Sequence, residues 1–155
     1  MKPISMTVLL MFLAGTCALA DEQKDREKLI GSWQLQDSAE SDAATSWTFS
    51  DKGKGLHVTE MEGPSTVSDF DCHVAGTPCE IKVSGKAATL SQWFNGAMLV
   101  QMETKGSDVV KRRFSVVSQT DPASDVMEVE IVPITPSGKA KTLHFKRTQA
   151  SAPGK

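Results

Sequence analysis

Ten short runs of β-favouring residues follow one another along this chain, with turn-forming residues and never a crossover-length segment between them. Runs at this spacing are typical of sandwiches and barrels. Parallel neighbours would need a long crossover, so the sheet must be antiparallel. The sequence therefore predicts an all-β fold, a closed antiparallel up-and-down barrel of roughly eight to ten strands. The runs are Ser32–Gln36, Thr45–Asp51, Leu56–Glu62, Thr66–Cys72, Cys79–Ser84, Ala88–Trp93, Ala97–Thr104, Val109–Ser118, Val126–Pro133 and Lys141–Arg147.

Turn chemistry supports this division. Asn95-Gly96 is a strong signal for a two-residue hairpin, because both residues accept the positive φ of a type I′ turn. Further hairpin tips are expected at Gly85, Gly106 and Gly138. The charged segment Asp21–Lys28 precedes the first strand and favours a short helix or ordered arm packed against one end of the barrel.

The N-terminal residues have the three parts of a cleavable signal peptide. Lys2 supplies the positive charge, Met6 to Gly15 is almost wholly apolar, and Ala18-Leu19-Ala20 is a small-x-small cleavage site. We expect residues 1–20 to be removed, 21–149 to form one β-barrel domain, and 150–155 to be a disordered tail. The apolar run is shorter than the about 20 residues of a membrane-spanning helix, so no membrane segment is expected after cleavage.

There is one alternative interpretation of this N-terminal region. In this alternative, Cys17 is lipidated and becomes the N-terminus of a lipoprotein, but Thr16 stands where lipoprotein processing uses Gly, Ala or Ser.

The net charge bears on the class of partner. Removal of the leader takes away Lys2 alone among the charged side chains, so the formal net charge moves from −2 to −3. Nucleic-acid binding requires a basic surface, so no nucleic-acid partner is expected. The predicted location is periplasmic or secreted.

Two cysteines remain after the predicted cleavage. Cys72 and Cys79 enclose Gly76 and Pro78, so the chain between them is expected to turn and bring the two thiols together. An even pair of cysteines in an exported protein predicts a disulfide. A metal site using His73 is the alternative, but the three residues lack the usual ligand spacing. No metal and no cofactor are expected.

The opening of the first strand resembles a known family. The chain resembles the small exported bacterial lipocalin-like (calycin-type) barrels of undefined activity in the order of its motifs. These motifs are Gly31-x-Trp33 after a short arm, Asp71-Cys72, Pro78-Cys79 and a basic residue at the end of the last strand. In lipocalins the Trp closes the barrel floor and an Arg from the last strand packs across it. The resemblance therefore implies structural roles for Gly31, Trp33 and Arg147.

Alternation along the strands assigns a face to each side chain, because residues two apart share one side of a strand. The predicted inward residues that would contact an apolar ligand are Trp47, Phe49, Met98, Val100, Met102, Arg112, Phe114, Val129 and Phe145. Methionines suit an adaptable binding surface. Arg112 among apolar neighbours needs a partner, which would be a ligand carboxylate or an internal Asp or Glu, unless a bulge turns it outward.

Catalysis is not expected. His57, His73 and His144 are scattered, and no nucleophile elbow, zinc-protease motif or phosphate loop occurs. Asp69 and Asp71 share a strand face and fit a solvated strand end. Two non-enzymatic hypotheses follow. The first is an exported binding protein that holds a small apolar molecule, for example a fatty acid. The second is a filled barrel that acts on a protein partner, for example as an inhibitor of an exported hydrolase.

Overall fold

Ten strands form a single closed barrel behind one N-terminal helix. The structure, a computed structural model, describes residues 17–36 and 44–148, with side chains described from residue 23 onward. The predicted tail lies outside these residues. The elements are α1 (Cys17–Leu29), β1 (Gly31–Leu35), β2 (Ser46–Lys52), β3 (Gly55–Glu62), β4 (Ser65–His73), β5 (Cys79–Val83), β6 (Lys86–Asn95), β7 (Met98–Lys105), β8 (Asp108–Val117), β9 (Val126–Thr135) and β10 (Lys141–Thr148), with a short 3₁₀ turn at Pro122–Ser124.

Every strand pairs antiparallel with its neighbours in sequence, and β1 closes the barrel by pairing with both β2 and β10. Trp33 of β1 lies opposite Trp47 on one side and Arg147 on the other. The predicted fold class is confirmed, with ten strands where the predicted runs lie. A tight turn links β6 and β7 at the predicted place, but the predicted type I′ turn on Asn95-Gly96 is wrong. Asn95 pairs with Met98 as the last residue of β6, so Gly96 and Ala97 are the central residues, and of Asn95 and Gly96 only Gly96 has a positive φ, of 60°.

Simple alternation of strand direction gives the barrel two distinct ends. The helix end holds α1, the start of β1, and the turns β2–β3, β4–β5, β6–β7 and β8–β9. The opposite end holds the connections β1–β2, β3–β4, β5–β6, β7–β8 and β9–β10.

The helix end is closed by Trp33 and Arg147. The Trp33 indole N–H donates to the Leu29 carbonyl at 2.9 Å, and the Arg147 guanidinium lies 4.2 Å from the Trp33 ring centroid. Arg147 also donates to the carbonyls of Ile30 and Lys28 at 2.8 and 2.7 Å. This is the arrangement that the resemblance implied. A cation over an indole contributes about 0.5–2 kcal/mol, depending on desolvation.

Gly31 is required by the same arrangement. Its φ is +130°, and a Cβ there would lie 2.7 Å from an Arg147 guanidinium nitrogen. Only glycine adopts this backbone conformation readily. The Gly31-x-Trp33 spacing therefore places the indole under the guanidinium while leaving room for it.

A disulfide joins Cys72 at the end of β4 to Cys79 at the start of β5, with the two Cα atoms 6.0 Å apart. The predicted bond is confirmed. It lies across the junction of β4 and β5, where the register has one paired position, Ser68 with Val83. The cross-link therefore ties together two strands that share little backbone pairing.

Candidate functional site

The apolar part of the barrel interior is built around three aromatic rings. Trp47 and Phe49 stack at 6.0 Å between ring centroids, and Phe114 meets them edge-on at 5.0 and 5.3 Å. Val129 and Phe145 are fully buried in the same core. Five of the predicted ligand-contacting residues therefore share one buried interior cluster.

Arg112 also points into the barrel, and its partner is an internal glutamate. Its guanidinium lies 2.6 Å from the Glu103 carboxylate, with side-chain exposures of 12% and 7%, respectively. The guanidinium carbon is 5.9 Å from the centroid of the Trp47 ring. The alternative of an internal acidic partner is thus the one that the structure shows. Arg112 connects the aromatic cluster to a polar region.

A second carboxyl group, that of Glu60, completes this polar region. Glu60 is 7% exposed and accepts a hydrogen bond from the Ser68 hydroxyl at 3.2 Å. A β-bulge between Glu60 and Met61 shifts the register of β3 and β4 at this point. Bulges commonly redirect a side chain near a site. We call Glu60, Ser68, Glu103 and Arg112 the interior polar cluster.

The environment of Glu60 disfavours its charged form. Burial raises the pKa of the Glu60 carboxyl above its ordinary value; the Arg112 charge acts in the lowering direction and the Glu103 charge in the raising direction. The cluster thus holds two carboxyl groups and one guanidinium.

Two buried amides extend the polar region. The Gln101 amide N–H donates to the Gln92 carbonyl oxygen at 3.0 Å, and the Gln92 N–H donates to the Cys72 backbone carbonyl at 2.8 Å. Gln101 lies opposite both Gln92 and Arg112 in the register. Polar side chains therefore occupy inward positions on several neighbouring strands.

The inward face predicted for β7 is wrong by one residue. Leu99, Gln101 and Glu103 face the barrel, so Met98, Val100 and Met102 lie on the outer side. The prediction placed the apolar residues inside. In the structure Glu103 and Gln101 face inward instead, because they pair there with Arg112 and Gln92, respectively. Val100 is buried nevertheless, between Trp93 and Arg113 in the register.

The histidines lie on the outer surface of the barrel. The two His57 ring nitrogens lie 3.3 Å from Asp69 and 2.8 Å from Asp71, contacts with two carboxyl groups that sequence reasoning missed. His144 lies 3.5 Å from Glu128. Among the described residues, no group of three or more His, Cys, Asp or Glu is placed to hold a metal ion. No helix in the described part of the chain is long and apolar enough to cross a membrane.

A surface cleft of about 440 Å³ lies at the helix end, beside the disulfide. It is lined by the exposed Lys52, Asp71 and His73 together with Gly55 and Pro78. Its charged rim does not suit an apolar ligand. The barrel interior, where buried aromatic rings adjoin a polar cluster, is the better candidate site.

Comparison with solved structures supports the fold. The chain is similar to a secretory abundant heat soluble (SAHS) protein from Ramazzottius varieornatus, with a TM-score of 0.61, 11% identity, and coverage of 78% of this chain and 96% of that one. It is also similar to the REP1-NXSQ fatty acid transporter, with a TM-score of 0.60, 16% identity, and coverage of 81% and 99%. Neither is named as an enzyme. No protein-family model matches the chain, and neither does any curated protein sequence. At these identities the likeness shows a lipocalin-like barrel fold.

Proposed function

We propose that this protein is an exported binding protein, periplasmic or secreted, that holds one small and mainly apolar molecule inside the barrel. The observation that carries the proposal is the interior polar cluster, which is buried in direct continuity with the aromatic rings. Ligand sites are mostly apolar, with a few convergent polar groups that orient the ligand. The similar fold of a fatty acid transporter supports a lipid-like ligand.

A stable core would not need these charges. Replacing a buried ion pair by well-packed apolar side chains is often neutral or stabilising. The interior of this barrel nevertheless contains Arg112, Glu103 and Glu60. A role in recognising a polar group on a ligand would account for a charged cluster at this position.

The topology suggests the direction of the bound molecule. Glu60 lies near the end of β3, Ser68 near the start of β4 and Glu103 near the end of β7, and all of these strand termini are at the opposite end. The helix end is closed by α1, Trp33 and Arg147. The ligand would enter through the opposite end and lie with its tail toward Trp47, Phe49 and Phe114 and its polar group at the cluster.

Export is supported by the disulfide, because such bonds persist in oxidising compartments. The signal peptide remains a prediction from the sequence. The helix α1 runs through the predicted cleavage point after Ala20, and the residues that close the barrel lie beyond it.

The second candidate is a filled barrel that acts through its surface on a protein partner. Trp47, Phe49 and Phe114 pack directly against one another and are almost fully buried, as in a solid core. In that case no small molecule would copurify with the protein or bind to it.

Native mass spectrometry distinguishes the two candidates. Protein purified gently from the exported fraction is expected to carry a stoichiometric adduct that is lost on unfolding. Ser68→Leu, which fills the polar cluster, is expected to lose the adduct. Thr104→Leu, at an exposed position, serves as the matched control and is expected to keep it. A bare mass, together with no binding of any lipid-like probe, would contradict the binding function and favour the filled barrel.

A further inference from the structure

We propose that the polar group of the bound molecule is a cationic amine and not a carboxylate. The inference rests on the proposed binding function and adds to it the chemical class of the head group. The observation behind it is the charge balance of the interior polar cluster, which holds two carboxyl groups, those of Glu60 and Glu103, and one guanidinium group, that of Arg112.

Arg112 is not free to bind a ligand carboxylate. Its guanidinium is already paired with Glu103 at 2.6 Å, and both side chains are largely buried. Charge-assisted contacts of this kind are the strong ones. A carboxylate ligand would have to displace Glu103 and would bring a third acidic group into the same space.

Glu60 has no such partner. It accepts a hydrogen bond from Ser68, and among the described residues it forms no salt bridge with Lys, Arg or His. The other arginines that reach the interior side lie at the helix end and have their own acidic partners, Arg26 with Asp51 and Arg147 with Asp125. Glu60 is therefore the carboxyl group in the interior that a ligand cation would complete.

An ammonium group satisfies this arrangement in two ways. It would stabilise the ionised form of Glu60 by pairing with it and would leave the Arg112–Glu103 pair intact. The interior polar cluster and the ammonium group together would then hold two positive and two negative groups. Buried charges are tolerated when they are paired. The adjacent Trp47 ring, which already faces the Arg112 guanidinium, also favours a cation nearby.

The test compares three probes with the same tail, namely dodecylamine, dodecanol and dodecanoate, each added below its micelle-forming concentration at pH 7. Binding to the full exported protein is measured by calorimetry. We expect dodecylamine to bind at least about tenfold more tightly than dodecanoate, which corresponds to about 1.4 kcal/mol. The affinity for dodecanol is expected to lie between the affinities for the other two probes.

Two variants change the charge balance in opposite directions. Glu60→Gln is expected to remove the preference for the amine, while leaving dodecanol binding within about threefold of the parent. Glu103→Gln frees the Arg112 guanidinium and is expected to move the preference toward dodecanoate. Glu80→Gln, at an exposed position on β5, is the matched control and should change neither ratio.

The outcomes separate this inference from the proposed function. If dodecanol or dodecanoate binds at least as tightly as dodecylamine, the inference of a cationic head group is overturned, while the proposed binding function stands. An amine preference that persists in folded Glu60→Gln would overturn the role of Glu60 and with it the inference. Failure of all three probes and of the copurification test would overturn the proposed function itself.

Discussion

At the scale of single residues, Glu60 occupies the least ordinary position in the barrel. A glutamate two residues from the end of a strand would usually be solvated, but here it is almost fully buried beside Ser68. Neither Glu60 nor Glu103 was predicted as a site residue, because alternation was used to place apolar residues inside. Arg112 was the available signal, since a buried arginine requires an acidic partner.

Glu60 makes stability depend on pH in a direction opposite to that of most carboxylates. Its pKa is raised in the folded protein from an ordinary value of 4.5, so the folded state holds the proton more tightly than the unfolded chain. Its contribution to stability is therefore lost as the pH rises from 4.5 through the raised pKa. Each tenfold difference in proton affinity corresponds to about 1.4 kcal/mol.

Glu60→Gln is expected to remove this loss, so that the variant is at least as stable as the parent at pH 8. Urea unfolding at pH 4 and pH 8 measures the free energies of unfolding of the variant and the parent. Because the other titrating groups are the same in both proteins, their contributions cancel in the difference between these free energies. Glu80→Gln, at an exposed position, should show no such difference. A parent protein that gains stability relative to Glu60→Gln as the pH rises would contradict the assignment.

At the scale of elements, one buried arginine joins α1 to the β2–β3 turn, in addition to the contacts that Leu29 and Lys28 make with Trp33 and Arg147. Arg26 donates to Asp51 at the end of β2 and to the backbone carbonyl of Gly55 at the start of β3. Asp51 is about half exposed and can be solvated without its partner, whereas Gly55 is buried. The loss of Arg26 would therefore leave a buried carbonyl without this donor.

Arg26→Ala is expected to destabilise the protein by about 1–3 kcal/mol, the usual cost of an unsatisfied buried polar group. The loss of structure should be greatest in α1 and its contact with the barrel. Hydrogen exchange is expected to speed up in α1 and at the β2–β3 turn, while the β7–β8 pair keeps its protection. Lys24→Ala, at an exposed position on the same helix, is the control. Equal exchange in α1 for both variants would show that Arg26 does not hold the helix.

The ten strands could be predicted because each run of β-favouring residues is bounded by turn residues such as Asn95-Gly96. Their faces were less predictable. Met98, Leu99 and Val100 are all apolar, so β7 carries no alternation at its start, and the polar Gln101 and Glu103 point inward. Pairing with β6 and β8 decides the face, and this pairing is a long-range property that one strand does not encode.

At the scale of the whole molecule, the barrel is closed on one side and carries its polar cluster toward the other. The contacts that close it come from Leu29, Trp33 and Arg147; Arg147 is far from the other two in sequence but lies opposite Trp33 in the register. All of them lie beyond the predicted cleavage point after Ala20. Removal of the leader would therefore leave the closed end of the barrel intact.

The protein recovered from the exported fraction is thus expected to begin at Asp21 and to be as stable as the uncleaved chain. Arg26 and Leu29 are retained, so the free energies of unfolding of the two forms should agree within about 0.5 kcal/mol, as for changes away from packed contacts. Intact-mass measurement and urea unfolding provide the test. Ala20→Arg should block processing, because the cleavage site requires a small residue there. A mature form that begins at a lipid-modified Cys17 would contradict the prediction, and a large loss of stability on cleavage would show that residues before Asp21 belong to the folded domain.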